Sequence, residues 1–217
     1  MTNPLSPAGA APRRVAGIVL AGGRASRFGR DKLVVPVAGR PLLHHALLSL
    51  APAVDEIVLV IRPHGAPPRL PDADILRVPV RLVRDPEPYG GPLIALAAAL
   101  ETVSQPVAIF AAGDMPAVRP AVLEVMVTAL EDPGVDLVIL AGPGPVQTLP
   151  AALRVDRARV AVRQVLEGES RALRALYDRL TVVVLPEAAW RPLDPDGASL
   201  RDVDTPADLP GSAGRDS

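Results

Sequence analysis

Apolar runs of two kinds alternate along this chain. Short, continuous aliphatic runs read as buried strands, and longer runs with apolar positions three and four apart read as helices. Val15 to Leu20 is a first strand ending at Ala21-Gly22-Gly23. Pro41 to about Leu50 reads as a helix opened by proline at its first position. Glu56 to Ile61 is a second strand stopped by Pro63, and Val80 to Val83 a third. A turn-rich stretch from Asp85 to Gly91 precedes a helix over Pro92 to Thr102. Val107 to Ala111 is a fourth strand, followed by Gly113-Asp114-Met115-Pro116. Pro120 to Leu130 then reads as a helix with Val122, Leu123, Met126 and Val127 on one face, and Asp136 to Leu140 as a fifth strand.

The second half is less regular. Leu149 to Val155 and Thr181 to Leu185 read as strands, Arg157 to Leu166 and Ala172 to Leu180 as helices, with Ser170 as an N-cap of the latter. The proline-rich stretches Arg62 to Pro79 and Ala141 to Pro150 read as surface loops. Repeated strand–helix units imply an α/β fold with a parallel sheet covered by helices on both faces.

Composition agrees with that pattern. About half of the residues, 49%, are apolar but only 2% are aromatic, so the core must be aliphatic. A chain of 217 residues suits a single domain over residues 15–209, with loose tails at 1–14 and 210–217. The net charge of −1 carries no footprint for nucleic acid or an anionic membrane. The absence of cysteine excludes disulfides and thiolate chemistry, and His44, His45 and His64 lack zinc spacing. The first residues lack the apolar core of a signal peptide, and no run reaches the ~20 apolar residues of a membrane span. A cytoplasmic protein is expected.

In open α/β sheets ligands bind beyond the carboxyl ends of the strands. Three segments fall there: Leu20 to Lys32, Asp85 to Pro92, and Gly113 to Pro116. In the first, Gly22 and Gly23 permit close backbone approach and positive φ, amides can cradle phosphate, and Arg24, Arg27 and Lys32 supply cations. The string is neither a P-loop nor a dinucleotide fingerprint. Asp31 can orient Lys32 or cap the next element.

The string Leu-Ala-Gly-Gly-Arg-Ala-Ser-Arg-Phe-Gly-Arg-Asp-Lys over Leu20 to Lys32 resembles the signature of the MobA-like nucleotidyltransferases, with Phe28 in place of the usual Met. Leu33 to Leu43 (with Gly39-Arg40-Pro41-Leu42-Leu43), Asp85 to Leu96 (with Ala95 where Gly is frequent), Ala112 to Pro116, Leu149 to Leu153, Glu167 to Arg171 and Asp202 to Pro206 are similar to further segments of that family. The resemblance spans Val15 to Leu209. It implies a three-layer Rossmann-like nucleotidyltransferase fold with a mostly parallel central sheet. It further implies transfer of GMP from GTP to molybdopterin with release of pyrophosphate, Mg²⁺ as cofactor, and transient contact with cofactor-biosynthesis or acceptor proteins.

On this resemblance Leu20, Ala21, Gly22, Gly23, Lys32, Asp85 and Asp114 bind the nucleotide, and Arg27, Lys32 and Asp114 carry the catalysis. Asp114 is the metal ligand. Lys32 stabilises charge on the α-phosphate or on departing pyrophosphate. Asp204 stands where the guanylyl branch has Asn, and two readings are open: a second carboxylate on the metal, or a cap for Thr205-Pro206-Ala207. Asp202 to Pro206 and Ile61-Arg62-Pro63 leave a cytidylyltransferase on the same pterin as an alternative. A nucleotide-binding accessory protein without catalysis is the alternative of another class.

Overall fold

The structure is a computed structural model, and it describes residues 14–22, 31–88, 90–144, 147–168, 170–204 and 208. The strands are β1 Val15–Leu20, β2 Pro36–Val37, β3 Arg40–Pro41, β4 Glu56–Ile61, β5 Val80–Arg84, β6 Val107–Ala112, β7 Leu137–Leu140, β8 Ala151–Arg154 and β9 Val182–Leu185. The helices are α1 Leu42–Leu50, α2 Ala73–Leu76, α3 Pro92–Leu100, α4 Pro120–Ala129, α5 Val155–Leu166, α6 Leu173–Tyr177 and α7 Glu187–Trp190. β2 and β3 form a small antiparallel ribbon. The other seven strands form one sheet in the order β5-β4-β1-β6-β8-β7-β9.

β8 alone runs against its neighbours, β6 on one side and β7 on the other. The pairs β1–β4, β1–β6, β4–β5 and β7–β9 are parallel. The sheet is therefore mostly parallel, as the expected fold requires.

Both faces of the sheet are buried at its centre, which is why β1, β4 and β6 read as unbroken aliphatic runs. Val19, Ile57, Leu59, Ile109 and Ala111 pack on one face under α1, α4 and Trp190 of α7. Ala16, Ile18, Val58, Val60, Ala108 and Phe110 pack on the other under α3, α5 and α6. The alternation follows the two-residue period of a strand. Gly17 lies on the first face because an added Cβ would come within 2.9 Å of Leu50 Cδ2. Trp190 is fully buried and donates from its ring nitrogen to Ala141 O at 3.1 Å.

Several boundaries differ from the sequence reading. Pro41 closes β3 and caps α1 instead of opening it. α5 begins at Val155, immediately after β8, so that strand is shorter than Leu149 to Val155. α6 is only five residues long and is capped by Ala172, not Ser170. The stretch from Arg62 to Pro79 contains the short helix α2, capped at its end by Arg77 in the left-handed region. No described helix is long and apolar enough to cross a membrane. Of the two expected tails, only Arg14 is among the described residues.

Candidate active site

β1 sits at the middle of the parallel half of the sheet. The chain leaves it first toward β4 and β5 and later toward β6 on its other side. The carboxyl ends of β1 and β6 therefore flank a topological switch point, the place where ligands enter open α/β sheets. Gly113 N–H donates to Leu20 O at 2.8 Å and carries the β1–β6 ladder one residue past both strands. Gly113 has no room for a side chain: a Cβ would lie 3.0 Å from Leu20 O and 3.2 Å from Leu43 Cδ1. Asp114 is thereby delivered to the switch point, and buried Met115 anchors the loop behind it.

Lys32 reaches the same place from the other side. Asp31 caps the short 3₁₀ turn Lys32–Val34, its Oδ1 accepting from Leu33 N–H at 3.1 Å. The Lys32 ammonium lies 2.6 Å from Asp114 Oδ2 and 3.3 Å from Asp204 Oδ1, and it donates to Val203 O at 3.0 Å. Val203 N–H in turn donates to Asp114 O at 2.9 Å, which ties the chain's closing segment to the Asp114 loop. Burial works against the Lys32 charge, but Asp114 and then Asp204 outweigh it and hold its pKa above the ordinary lysine value. Asp114 Oδ1 is buried and, among the described residues, has no hydrogen-bond partner.

A cleft of about 560 Å³ opens beside this cluster. Leu20, Gly22, Lys32, Asp85 and Asp114 line it, so five of the expected nucleotide residues share one cavity. Asp85 continues β5, its N–H donating to Ile61 O at 2.8 Å, and its Oδ1 accepts from Glu87 N–H at 3.1 Å. Asp85 thus caps its own turn while the residue remains on the cleft wall. Gly91 takes φ of 94° and caps α3, whose first turn, Pro92 and Ala95, forms the facing wall. That conformation suits glycine and turns the helix start toward the cleft.

Residues 17–198 match the family model of the MobA-like NTP transferase domain. The chain belongs to this family. Among its relatives, a protein of Chloroflexus aggregans named a probable molybdenum cofactor guanylyltransferase is 32% identical, covering 90% of this chain and 91% of its own. One of the same name from Haloferax mediterranei is 33% identical, covering 78% and 80%. The solved structure of molybdopterin-guanine dinucleotide biosynthesis protein A from Archaeoglobus fulgidus superposes with a TM-score of 0.70 at 26% identity, covering 89% and 94%. As a MobA-like NTP transferase, this protein is a nucleotidyltransferase.

Gly22 and Ala21 take particular places in the MobA-like site. Gly22 is not in the left-handed region; a Cβ there would meet nothing nearer than Asp85 Oδ2 at 3.9 Å, so the residue leaves open space at the cleft wall. Ala21 donates its N–H to Val60 O at 2.8 Å and lines a neighbouring cleft instead of the large one. Gly23, Arg24 and Arg27 lie outside the described residues, as do Thr205, Pro206 and Ala207.

Other parts of the site were not singled out from the sequence. Val60 and Leu149 line the cleft. Val60 stands at the carboxyl end of β4, so the strand-end rule that located Asp85 applied to it as well. Leu149 opens the segment Leu149 to Leu153 that resembles the family, but its residue type alone did not point to the cleft. Asp202 is close enough that desolvation first, and then the charges of Asp204 and Asp114, raise its pKa. His44 and His45 are bound to carbonyl oxygens of Arg69 and Val37, away from the cleft.

Proposed function

We propose that this chain transfers GMP from GTP to molybdopterin. The phosphate oxygen of the pterin attacks the α-phosphorus in line, the bond to the β-phosphate bridging oxygen breaks, and pyrophosphate leaves. The observation that carries the transfer chemistry is the meeting of one ammonium and two carboxylates, Lys32, Asp114 and Asp204, at the switch point beside a cleft of nucleotide size. The guanine and the pterin come from the names of relatives that cover most of the chain.

The residues fit a divalent cation. Asp114 Oδ1 is a buried carboxylate oxygen without a partner among the described residues, and carboxylate oxygens are the donors that Mg²⁺ takes. Asp114 would hold the metal and Asp204 would complete its protein ligands. Bound there, Mg²⁺ supplies charge neutralisation on the triphosphate oxygens. Lys32 would present its ammonium to the α-phosphate or the leaving pyrophosphate. Asp85 and the Gly91–Pro92 wall hold the nucleoside. Positioning and electrostatics supply the rate, and no side-chain base is needed.

The test is pyrophosphate release by the purified chain with Mg²⁺, molybdopterin, and either GTP or CTP. Release with GTP and little with CTP is expected. Preference for CTP overturns the guanylyl assignment, and no release with any nucleotide leaves the binding-only reading.

A further inference from the structure

Lys32 can act on a phosphate only if the turn that carries it is held in place, and that turn has one outside attachment that the reaction itself does not explain. The Asp31 carboxylate uses both oxygens. Oδ1 caps Leu33 N–H, and Oδ2 takes the Arg62 guanidinium at 3.1 Å. Arg62 is the first residue beyond β4, and its own loop is fixed from below. Arg84, at the end of β5, donates to the carbonyl oxygens of Arg62, Pro63 and Gly65 at 3.2, 3.1 and 3.2 Å. A line of polar contacts thus runs from the sheet edge through Arg84, the 62–65 loop, Arg62 and Asp31 to the turn that presents Lys32. Asp31 also stands between the large cleft and a neighbouring one of about 380 Å³, and Arg62 lines the second. The pair is part of the wall between them.

Resting on the nucleotidyl-transfer reading above, we propose that Arg62 and Asp31 form a positioning clamp that sets the reach of Lys32 toward the reacting phosphate. The pair is partly exposed, at 42% and 34% of the side chains, so its worth to overall stability is small. Its worth to the reaction is larger, because a displacement of about 1 Å in a charge-stabilising group costs up to ~10²-fold in rate. Lys32 acts on charge that develops during transfer, so loosening it lowers kcat more than it raises KM.

The experiment measures pyrophosphate release with GTP varied, for the full chain and for Arg62→Ala, Arg62→Lys, Asp31→Asn and Arg62→Ala with Asp31→Asn together. Asparagine keeps an oxygen for the Leu33 cap and removes the charge that holds Arg62. Both Arg62→Ala and Asp31→Asn are expected to lower kcat about tenfold, with KM moved less than about threefold. Arg62→Lys should recover most of the loss, and the double variant should be no worse than the more damaged single one. Additive losses, or a KM effect of Arg62→Ala alone with Asp31→Asn silent, overturn the clamp and place Arg62 on the nucleotide itself.

A second readout needs no turnover. After reductive ¹³C-methylation, the Lys32 resonance reports the carboxylates around it. It should move toward that of a solvent-exposed lysine in both single variants, while their melting curves stay cooperative. An unmoved Lys32 resonance overturns the clamp whichever nucleotide is used. An inactive wild type with a moved resonance overturns the function reading and leaves the clamp standing.

Discussion

At the scale of the residue, Lys32 lies between Asp114 and Asp204, the two carboxylates proposed above to hold Mg²⁺. Its ammonium neutralises two carboxylates in a partly buried site where an unpaired charge would be costly. Replacing it should therefore have two opposite effects. Lys32→Met is expected to lower kcat by ~10²-fold or more. The same variant should bind Mn²⁺ in the absence of nucleotide more tightly than the wild type, read by titration calorimetry; weaker binding would show that Lys32 does not compete for those oxygens. Asp194, which does not line the cleft, gives a second case. It is fully buried, and it accepts from Ala198 N–H at 3.1 Å and Ser199 N–H at 2.7 Å, with the Arg119 guanidinium 3.7 Å away. Burial alone would raise its pKa, but the Ser199 and Ala198 bonds and Arg119 overrule it and bring the value below the ordinary 3.8. A lowered folded-state pKa contributes stability that is present above the ordinary value and lost as pH falls through the folded one. Denaturant melts should therefore show the wild type losing its advantage over Asp194→Asn below about pH 4, with the two curves well separated at neutral pH. Parallel curves across that range would remove Asp194 from the acid lability of the fold.

At the scale of the element, the site depends on where two strands stop. β1 and β6 end in register, Leu20 beside Ala112, and the next residues on each become the cleft wall and Asp114. Gly113→Ala forces a methyl against a backbone oxygen and a buried leucine, so it should cost about 1–3 kcal/mol in a chemical melt and lower activity further than the stability loss explains. Full activity in that variant would mean that the Asp114 loop tolerates displacement. Most elements were legible because a strand buried on both faces is an aliphatic run and the helices between carry apolar stripes. The direction of β8 was less so, although one constraint was in the chain: the stretch from Ala141 to Pro150 reads as a short proline-rich loop, and a parallel return needs a crossover of about a dozen residues or more. The α6 boundary was missed because Ser170 offered local capping chemistry that packing of Leu173, Leu176 and Tyr177 under the sheet did not use.

At the scale of the molecule, one sheet separates two apolar clusters and aligns four strand ends on a single cleft. A ligand that spans those ends holds β1, β4, β5 and β6 together and should stabilise the whole chain. If the proposed substrate is right, GTP with Mg²⁺ at a hundred times its dissociation constant should contribute about 2.7 kcal/mol, a rise in Tm of roughly 5–10 °C for a chain of this size. The same nucleotide should give a much smaller rise in Asp114→Ala, and an equal rise would exclude Asp114 from the bound state.

The sequence by itself determined the strand–helix rhythm, the aliphatic core and the three strand-end segments, since each follows from local periodicity and from which residues tolerate tight turns. Its resemblance to the MobA-like family also named Lys32, Asp85 and Asp114. Only the tertiary structure decided that Lys32 and Asp204, 172 positions apart, share one hydrogen-bonded cluster. It also decided that Asp31 is tied to Arg62 and that Val60 and Leu149 wall the same cleft. Those juxtapositions are set by strand order and by a long chain return across the sheet, and neither leaves a periodic trace in the residues themselves.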